Sequence, residues 1–219
     1  MDSVIFDMDG LLIDTERFSQ DAFERTVQAF NLDGYTELFL SLVGTNEEAH
    51  RKRLSEELDP HVDSMQFRQH WIDSFHQLMA EETVPLLDGV QEALEWLQQH
   101  KIKCAVATST GTAAAEKKLV DAGIRDFFLT VTCGDQVTHS KPHPEIYIKA
   151  GQSIGADISR SIGMEDSPNG VRSALGAGLS VIQIPNLVQP DPDLLALGHR
   201  VCASMREVIE LMERGAIIP

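Results

Sequence analysis

Val4-Ile5-Phe6-Asp7-Met8-Asp9-Gly10 is the stretch on which the reading of this chain turns. Three consecutive apolar residues read as a short strand buried on both faces, as in a parallel sheet, and two carboxylates follow it at once. In open α/β sheets the carboxyl ends of the strands are where ligands bind. Side chains two apart in an extended segment point the same way, and Gly10 allows the turn that lets Asp7 and Asp9 face one cavity. Alone, D-x-D-G also describes an ordinary acidic strand-to-helix turn, so its meaning depends on what the rest of the chain sets beside it.

Further short apolar runs repeat the pattern at Cys104-Ala105-Val106-Ala107, Leu129-Thr130-Val131, Ser161-Ile162-Gly163-Met164 and Leu179-Ser180-Val181-Ile182. Amphipathic stretches separate them. Val90, Ala93, Leu94 and Leu97 keep the spacing of one buried helical stripe, with Asp88 as the expected cap. Ser204-Met205-Arg206-Glu207 reads as a capping box, after which Met205, Val208, Ile209 and Met212 repeat the stripe and Gly215 ends it. Strands alternating with helices predict an α/β fold, a doubly wound parallel sheet of the Rossmann-like kind. Residues 15–84 break the alternation with a long polar region of helical period, in which Phe23, Val27 and Phe30 mark one face. This predicts an inserted helical domain with its own small core, leaving 1–14 and 85–219 as the catalytic core, with Pro85 and Asp88-Gly89 at the return.

Composition limits the partners. The chain has 219 residues with Asp+Glu 34 against Lys+Arg 18, a formal charge of −16. Nucleic acid needs a basic face, and His50-Arg51-Lys52-Arg53 is the longest basic run, so a nucleic-acid partner is not expected. With 42% hydrophobic and 24% charged residues the chain buries a core rather than staying disordered. Cys104, Cys133 and Cys202 are few, odd in number and widely spaced, which suits a reducing cytoplasm and neither a disulfide framework nor a C-x-x-C metal site. No apolar span reaches the ~20 residues of a membrane helix, and the opening residues do not read as a signal segment. A cytoplasmic monomer or weak homodimer is the expectation.

Three more segments give the first its weight. Gly163-Met164-Glu165-Asp166-Ser167 places a second acidic pair after another buried strand. Carboxylates gathered at one sheet end repel unless a cation or protons intervene; a hard divalent ion with oxygen ligands resolves this, and Mg²⁺ also clamps phosphate oxygens. Lys141-Pro142 would begin a helix and so bring a positive charge near the positive end of its dipole. Ala107-Thr108-Ser109-Thr110-Gly111 offers hydroxyls and free amides where the next helix starts, an arrangement that serves equally as a plain cap or as an oxyanion cradle.

In this order the four segments resemble the haloacid-dehalogenase-like superfamily, in the branch with a small helical cap inserted after the first strand that includes β-phosphoglucomutase-like sugar-phosphate phosphatases. The resemblance implies Asp7 as nucleophile, Asp9 as general acid and base, Thr108, Ser109 and Lys141 on the transferring phosphoryl group, and Mg²⁺ held by Asp7, the Asp9 carbonyl and Asp166. Glu165, Thr15, Glu16 and Asn169 are implied as supporting residues. The expected activity is Mg²⁺-dependent hydrolysis of a small phosphorylated metabolite through an aspartyl-phosphate. Asp9 argues against dehalogenation and phosphonate cleavage, since those branches lack an aspartate there. The mutase branch carries a histidine where this chain has Ser19, and an arginine where Glu47 follows Gly44-Thr45-Asn46, which favours a phosphatase.

Two readings of another class stay open on the residues. Ser109 near a G-x-S-x-G pattern, followed by Asp191 or Asp193 and then His199, gives the order of a serine esterase, though one glycine is missing. A cation-dependent binding module without turnover would carry the same carboxylates. His139 and His143 are separated by Pro142, which breaks the helix that would align them as metal ligands, so they read as flanking polar residues. The cap residues His50, Arg51, Arg53, His70 and Trp71 read equally as substrate contacts or as a solvated face. The acidic residues Asp7, Asp9, Asp14, Glu16, Glu165 and Asp166, all in segments expected around one cavity, predict strict dependence on a divalent cation, with Lys141 as the principal local positive side chain.

Overall fold

β1 (Ser3–Phe6) is buried along its whole length and sits at the middle of the sheet. The computed structural model describes residues 1–43 and 47–216. After β1 come α1 (Thr15–Ala29), α2 (Thr36–Leu42), α3 (Glu47–Glu57), α4 (Ser64–Glu81) and α5 (Val90–Gln99). The alternating part then runs β2 (Lys103–Ala107), α6 (Thr112–Asp121), β3 (Thr130–Thr132), α7 (Glu145–Ser153), β4 (Ser161–Glu165), α8 (Pro168–Gly176), β5 (Ser180–Gln183), α9 (Pro192–Leu195), β6 (Arg200–Val201) and α10 (Met205–Glu213). The chain divides into two compact units, one of Met1–Ile13 with Pro85–Pro219 and one of Asp14–Val84.

In the first unit the strands lie in the order β3-β2-β1-β4-β5-β6, all parallel. This is the doubly wound α/β fold that the alternation predicts, and the order reverses at β1, whose carboxyl end therefore opens on the crevice between its two outgoing connections. Phe6 is in register with Val106 of β2 and Met164 of β4, so the segments after these three strands leave the sheet side by side. Ile5, Ala105, Ala107 and Val181 pack under Tyr147, Ala150, Val171 and Ala174, which fixes α7 and α8 on one face of the sheet. The three cysteines are free and buried.

The sixth strand has no counterpart in the sequence reading, because Arg200 and Val201 form a two-residue, exposed edge with no apolar run to announce it. β3 is shielded by its neighbours less completely than a doubly buried run implies. The cap of α5 is Gly89 at φ 82°, not Asp88, whose carboxylate instead takes both arms of the Arg206 guanidinium at 2.8 Å. A side chain at Gly89 would meet the Arg206 stem at 2.9 Å as well as adopting a left-handed backbone, so that position requires glycine. At α10 Ser204 does accept from the Glu207 amide, but the Glu207 carboxylate reaches back to Ala203, one residue beyond the cap.

The second unit is helical. Phe23 of α1 lies 5.4 Å from Phe39 and Phe67 and 5.1 Å from Trp71 between ring centroids, an aromatic nucleus joining α1, α2 and α4. Trp71 is thus a core residue, and its indole N–H donates to Ser19 O at 2.9 Å. His50 stacks on Trp71 at 5.5 Å, and His70 Nδ1 pairs with the buried Thr26 hydroxyl at 3.0 Å, while Arg53 faces Glu57 on the exposed surface. Gly44-Thr45-Asn46, the side chain of Glu47 and the Ile217-Ile218 tail lie outside the described residues. Among the described residues no helix is long and apolar enough to cross a membrane.

Candidate active site

Asp7 is the first residue beyond β1, and its amide continues the ladder by donating to Met164 O at 2.9 Å. Its side chain is only 11% exposed. Lys141 Nζ donates to Asp7 Oδ1 at 2.5 Å and to Glu165 Oε1 at 2.6 Å, so one ammonium joins the ends of β1 and β4. Burial pushes the Asp7 carboxyl up to about 7, and the charges of Glu165 and Asp9 push the same way against Lys141. Burial alone would lower the Lys141 ammonium, but the two carboxylates beside it outweigh that and hold it above the ordinary lysine value.

The location of Lys141 corrects the sequence reading. α7 starts at Glu145, not at Pro142. Lys141 and Pro142 instead occupy a tight turn closed by the His143 amide on Ser140 O at 3.0 Å, and the lysine is 8% exposed. The turn is pinned from α8, where the Ser173 hydroxyl donates to His143 O at 2.7 Å.

Glu165 is fully buried and saturated with partners. Besides Lys141 it accepts from the Tyr147 hydroxyl at 2.7 Å, from the amides of Asp166 and Ser167 at 3.2 and 3.3 Å, and from the Ser167 hydroxyl at 3.2 Å. Gly170 makes room for it, since a Cβ there would fall 1.9 Å from the carboxylate. Gly170→Ala should therefore displace Glu165 and destabilise the fold by about 1–3 kcal/mol, the usual scale of overpacking. Thermal denaturation reads this as a drop in melting temperature; an unchanged value would mean that the carboxylate is not held where described.

Asp9 is engaged on a different side. The Thr110 hydroxyl donates to its Oδ2 at 2.6 Å, the Thr108 hydroxyl to the same oxygen at 3.4 Å, and Lys118 Nζ to Oδ1 at 2.6 Å. Gly10 at φ 81° turns the chain just beyond it. Thr108 is buried, and its hydroxyl also accepts from the Thr110 amide, whereas Ser109 is exposed at the tip of the loop. Gly134 backs this loop: its amide donates to Thr110 O, and a Cβ on it would sit 2.2 Å from Ser109 O. The serine-esterase order does not assemble. His199 Nε2 bonds Gln183 Oε1 at 2.8 Å, its Nδ1 has no partner among the described residues, and Asp191 caps α9 through the Leu194 amide.

Asp166 follows Glu165 and is buried, with its carbonyl taken by the Gln183 amide at 2.9 Å. Asn169 is half-buried in the first turn of α8; Thr15 and Glu16 open α1 in the helical unit. Donor oxygens of Asp7, Glu165 and Asp166 lie within 4.8 Å of one another, a set of hard ligands that fits a hard divalent cation. The carboxylate cluster thus takes in Glu165, while the Asp9 side chain is turned to Thr110 and Lys118. Thr110, Lys118, Tyr147 and Gln183 are site residues that sequence reasoning missed. Of these Thr110 lies in the hydroxyl segment already singled out, and Tyr147 lies on the apolar stripe of Ile146, Tyr147 and Ala150, which reads as core.

A parallel sheet in this order, with paired acidic segments at the switch point, a buried lysine between them and a hydroxyl loop beside them, defines a hydrolase of a known kind. The family model described as haloacid dehalogenase-like hydrolase matches residues 4–184, and the chain belongs to that family. It is 29% identical over 214 residues to the phosphorylated carbohydrates phosphatase of Thermotoga maritima, covering 97% of this chain and 99% of that one. It is 30% identical to hexitol phosphatase B of Escherichia coli, covering 84% and 83%. Among solved structures, a HAD family hydrolase from Deinococcus radiodurans with bound phosphate and sodium superposes with a TM-score of 0.82 at 25% identity, covering 100% of this chain and 98% of that one.

Proposed function

We propose that this chain hydrolyses a small phosphorylated sugar, sugar alcohol or similar metabolite, using Asp7 as the nucleophile and a Mg²⁺ ion as cofactor. It is a phosphoric monoester hydrolase. The observation that carries the finer reading is the Asp7–Lys141–Glu165 arrangement, in which a buried carboxylate stands at the switch point beside a fixed positive charge. The names of the Thermotoga and Escherichia relatives support the substrate class.

Asp7 attacks phosphorus and forms an aspartyl-phosphate, which divides a slow hydrolysis into two easier displacements. Asp9 gives a proton to the leaving alkoxide and then takes one from the water that opens the intermediate. Lys118 and Thr110 engage both oxygens of Asp9 in the arrangement described, so proton delivery requires Asp9 to part from Lys118. Lys141 and the Thr108–Ser109 loop face the equatorial oxygens, where fixed charge and donors lower the barrier without reorganising. Beside Glu165, Asp7 and Asp166, with the Asp9 carbonyl, would hold Mg²⁺, which when bound supplies charge neutralisation for the phosphoryl group. Hydrolysis is preferred to phosphoryl transfer between sugar positions because Ser19 stands where the mutase branch has its histidine. The helical unit 14–84 serves as the cap that selects the leaving group.

Phosphate release from a panel of phosphorylated sugars, sugar alcohols, nucleotides and organic acids tests the reading. Release should stop on addition of EDTA and return with excess Mg²⁺. Turnover that survives EDTA would exclude the metal's role, and tight phosphoester binding with no release would identify a binding module.

A further inference from the structure

The turn that drives Lys141 inward sends its neighbours out. Lys141 has a side-chain exposure of 7%, whereas His139 and His143 are exposed to 61% and 50%. Their rings approach to 4.5 Å between centroids, so the proline that rules out a helical pair instead lies in a turn that closes one. Glu145, the first residue of α7, completes the group: one donor atom from each of the three lies within 4.8 Å of the others.

We propose that His139, His143 and Glu145 form a cation site of their own, chemically distinct from the carboxylate cluster around Asp7, that takes a divalent transition ion of the zinc class. Two imidazoles and one carboxylate with open positions suit Zn²⁺, Co²⁺, Ni²⁺ or Cu²⁺, whereas Mg²⁺ favours all-oxygen sets and keeps its water. The carboxylate is already oriented. Glu145 accepts from the amides of Thr138 and His139 at 2.8 and 2.9 Å, and from His139 Nδ1 at 2.9 Å. An ion replaces the proton shared by His139 and Glu145. His143 Nδ1 accepts a 3.3 Å bond from the Glu145 amide, so its lone pair lies on that nitrogen, 4.0 Å from Glu145 Oε2, where it can exchange the amide for an ion. Ligand atoms on a tetrahedral zinc stand about 3.4 Å apart, within reach of small rotations of three surface side chains. Because Lys141 lies between the two histidines in sequence, an ion held there ties the turn from outside while Asp7 and Glu165 hold it from inside.

The test uses the full chain in excess Mg²⁺, which occupies the carboxylate cluster and does not compete for imidazole. Zn²⁺ titration by calorimetry should find one equivalent, weakened at least about tenfold in His139→Ala or His143→Ala and absent in the double variant. Co²⁺ should show visible d–d bands of nitrogen ligation in the unaltered protein, and Zn²⁺ should raise its melting temperature but not that of the double variant. Failure of the unaltered protein to bind Zn²⁺ or develop the Co²⁺ bands in excess Mg²⁺, or a double variant that binds like the original, overturns the proposal. Neither result bears on Asp7 or on phosphate release.

Discussion

Asp7→Asn should lose phosphate release by at least about a thousandfold while the protein remains folded, because an amide oxygen still accepts from Lys141 but cannot attack phosphorus to form the intermediate. Its stability should move the other way. The Asp7 carboxyl is raised to about 7 against an ordinary 3.8, so over that interval the folded protein binds more protons than the unfolded chain. Stability without metal therefore falls as pH rises from about 4 to 7, and the whole loss is present above pH 7. In EDTA at pH 8 the asparagine variant should melt above the unaltered protein, and excess Mg²⁺ should close the gap. Full activity in Asp7→Asn would remove Asp7 as nucleophile; a lower melting temperature in EDTA would show that Lys141 needs its charge more than burial penalises it.

Lys141→Met separates two duties of one side chain. Removing the ammonium leaves Glu165, which is wholly buried, with hydrogen bonds but no opposite charge, a change that costs about 3–5 kcal/mol when a buried pair is broken. For a chain of this size the melting temperature should fall by on the order of 10 °C. Adding Glu165→Gln removes the stranded charge and should restore most of that stability. Phosphate release should stay lost in both variants, since the positive charge facing the phosphoryl group is gone in each. Recovery of activity together with stability would mean that Lys141 serves the fold alone.

The sheet was legible because each interior strand is a run of apolar residues bounded by polar helix starts, a pattern with few rivals in a chain of this size. β6 was illegible for the same reason: two exposed residues carry no pattern, and only pairing with Ile182 and Gln183 makes them a strand. The acidic segments were visible as pairs, but their division of labour was not. Glu165 and Asp9 differ in surroundings that the sequence does not express: the first meets Lys141 and Tyr147 from segments 24 and 18 residues away, the second Lys118 at a separation of 109. Lys141 reads from the sequence as a charge between the acidic segments but at a helix start, because Lys-Pro-His-Pro satisfies the rules for a helix entrance and for a turn equally. The spacing of His139 and His143 argues against a metal pair only on a helix, the geometry that this turn replaces. Gln183, inside an apolar strand, looked like an interruption; its reach to the carbonyl of Asp166 exists only once β4 and β5 pair.

The sequence separations at the centre of the sheet also set when the protein becomes itself. β1 leaves the ribosome well before its neighbours in the sheet, which begin at Lys103 and Ser161, and Lys141 meets Asp7 across 134 residues. The helical segment 14–84 is complete before any of them and can condense on its own aromatic nucleus. The opening strand must meanwhile wait, apolar and unpaired, through most of synthesis, with the large loop-closure entropy of its pairings still to be met. Its two following aspartates and the chain's excess of negative charge then have a use that has nothing to do with chemistry. Negative charge beside an apolar strand opposes its pairing with copies of itself.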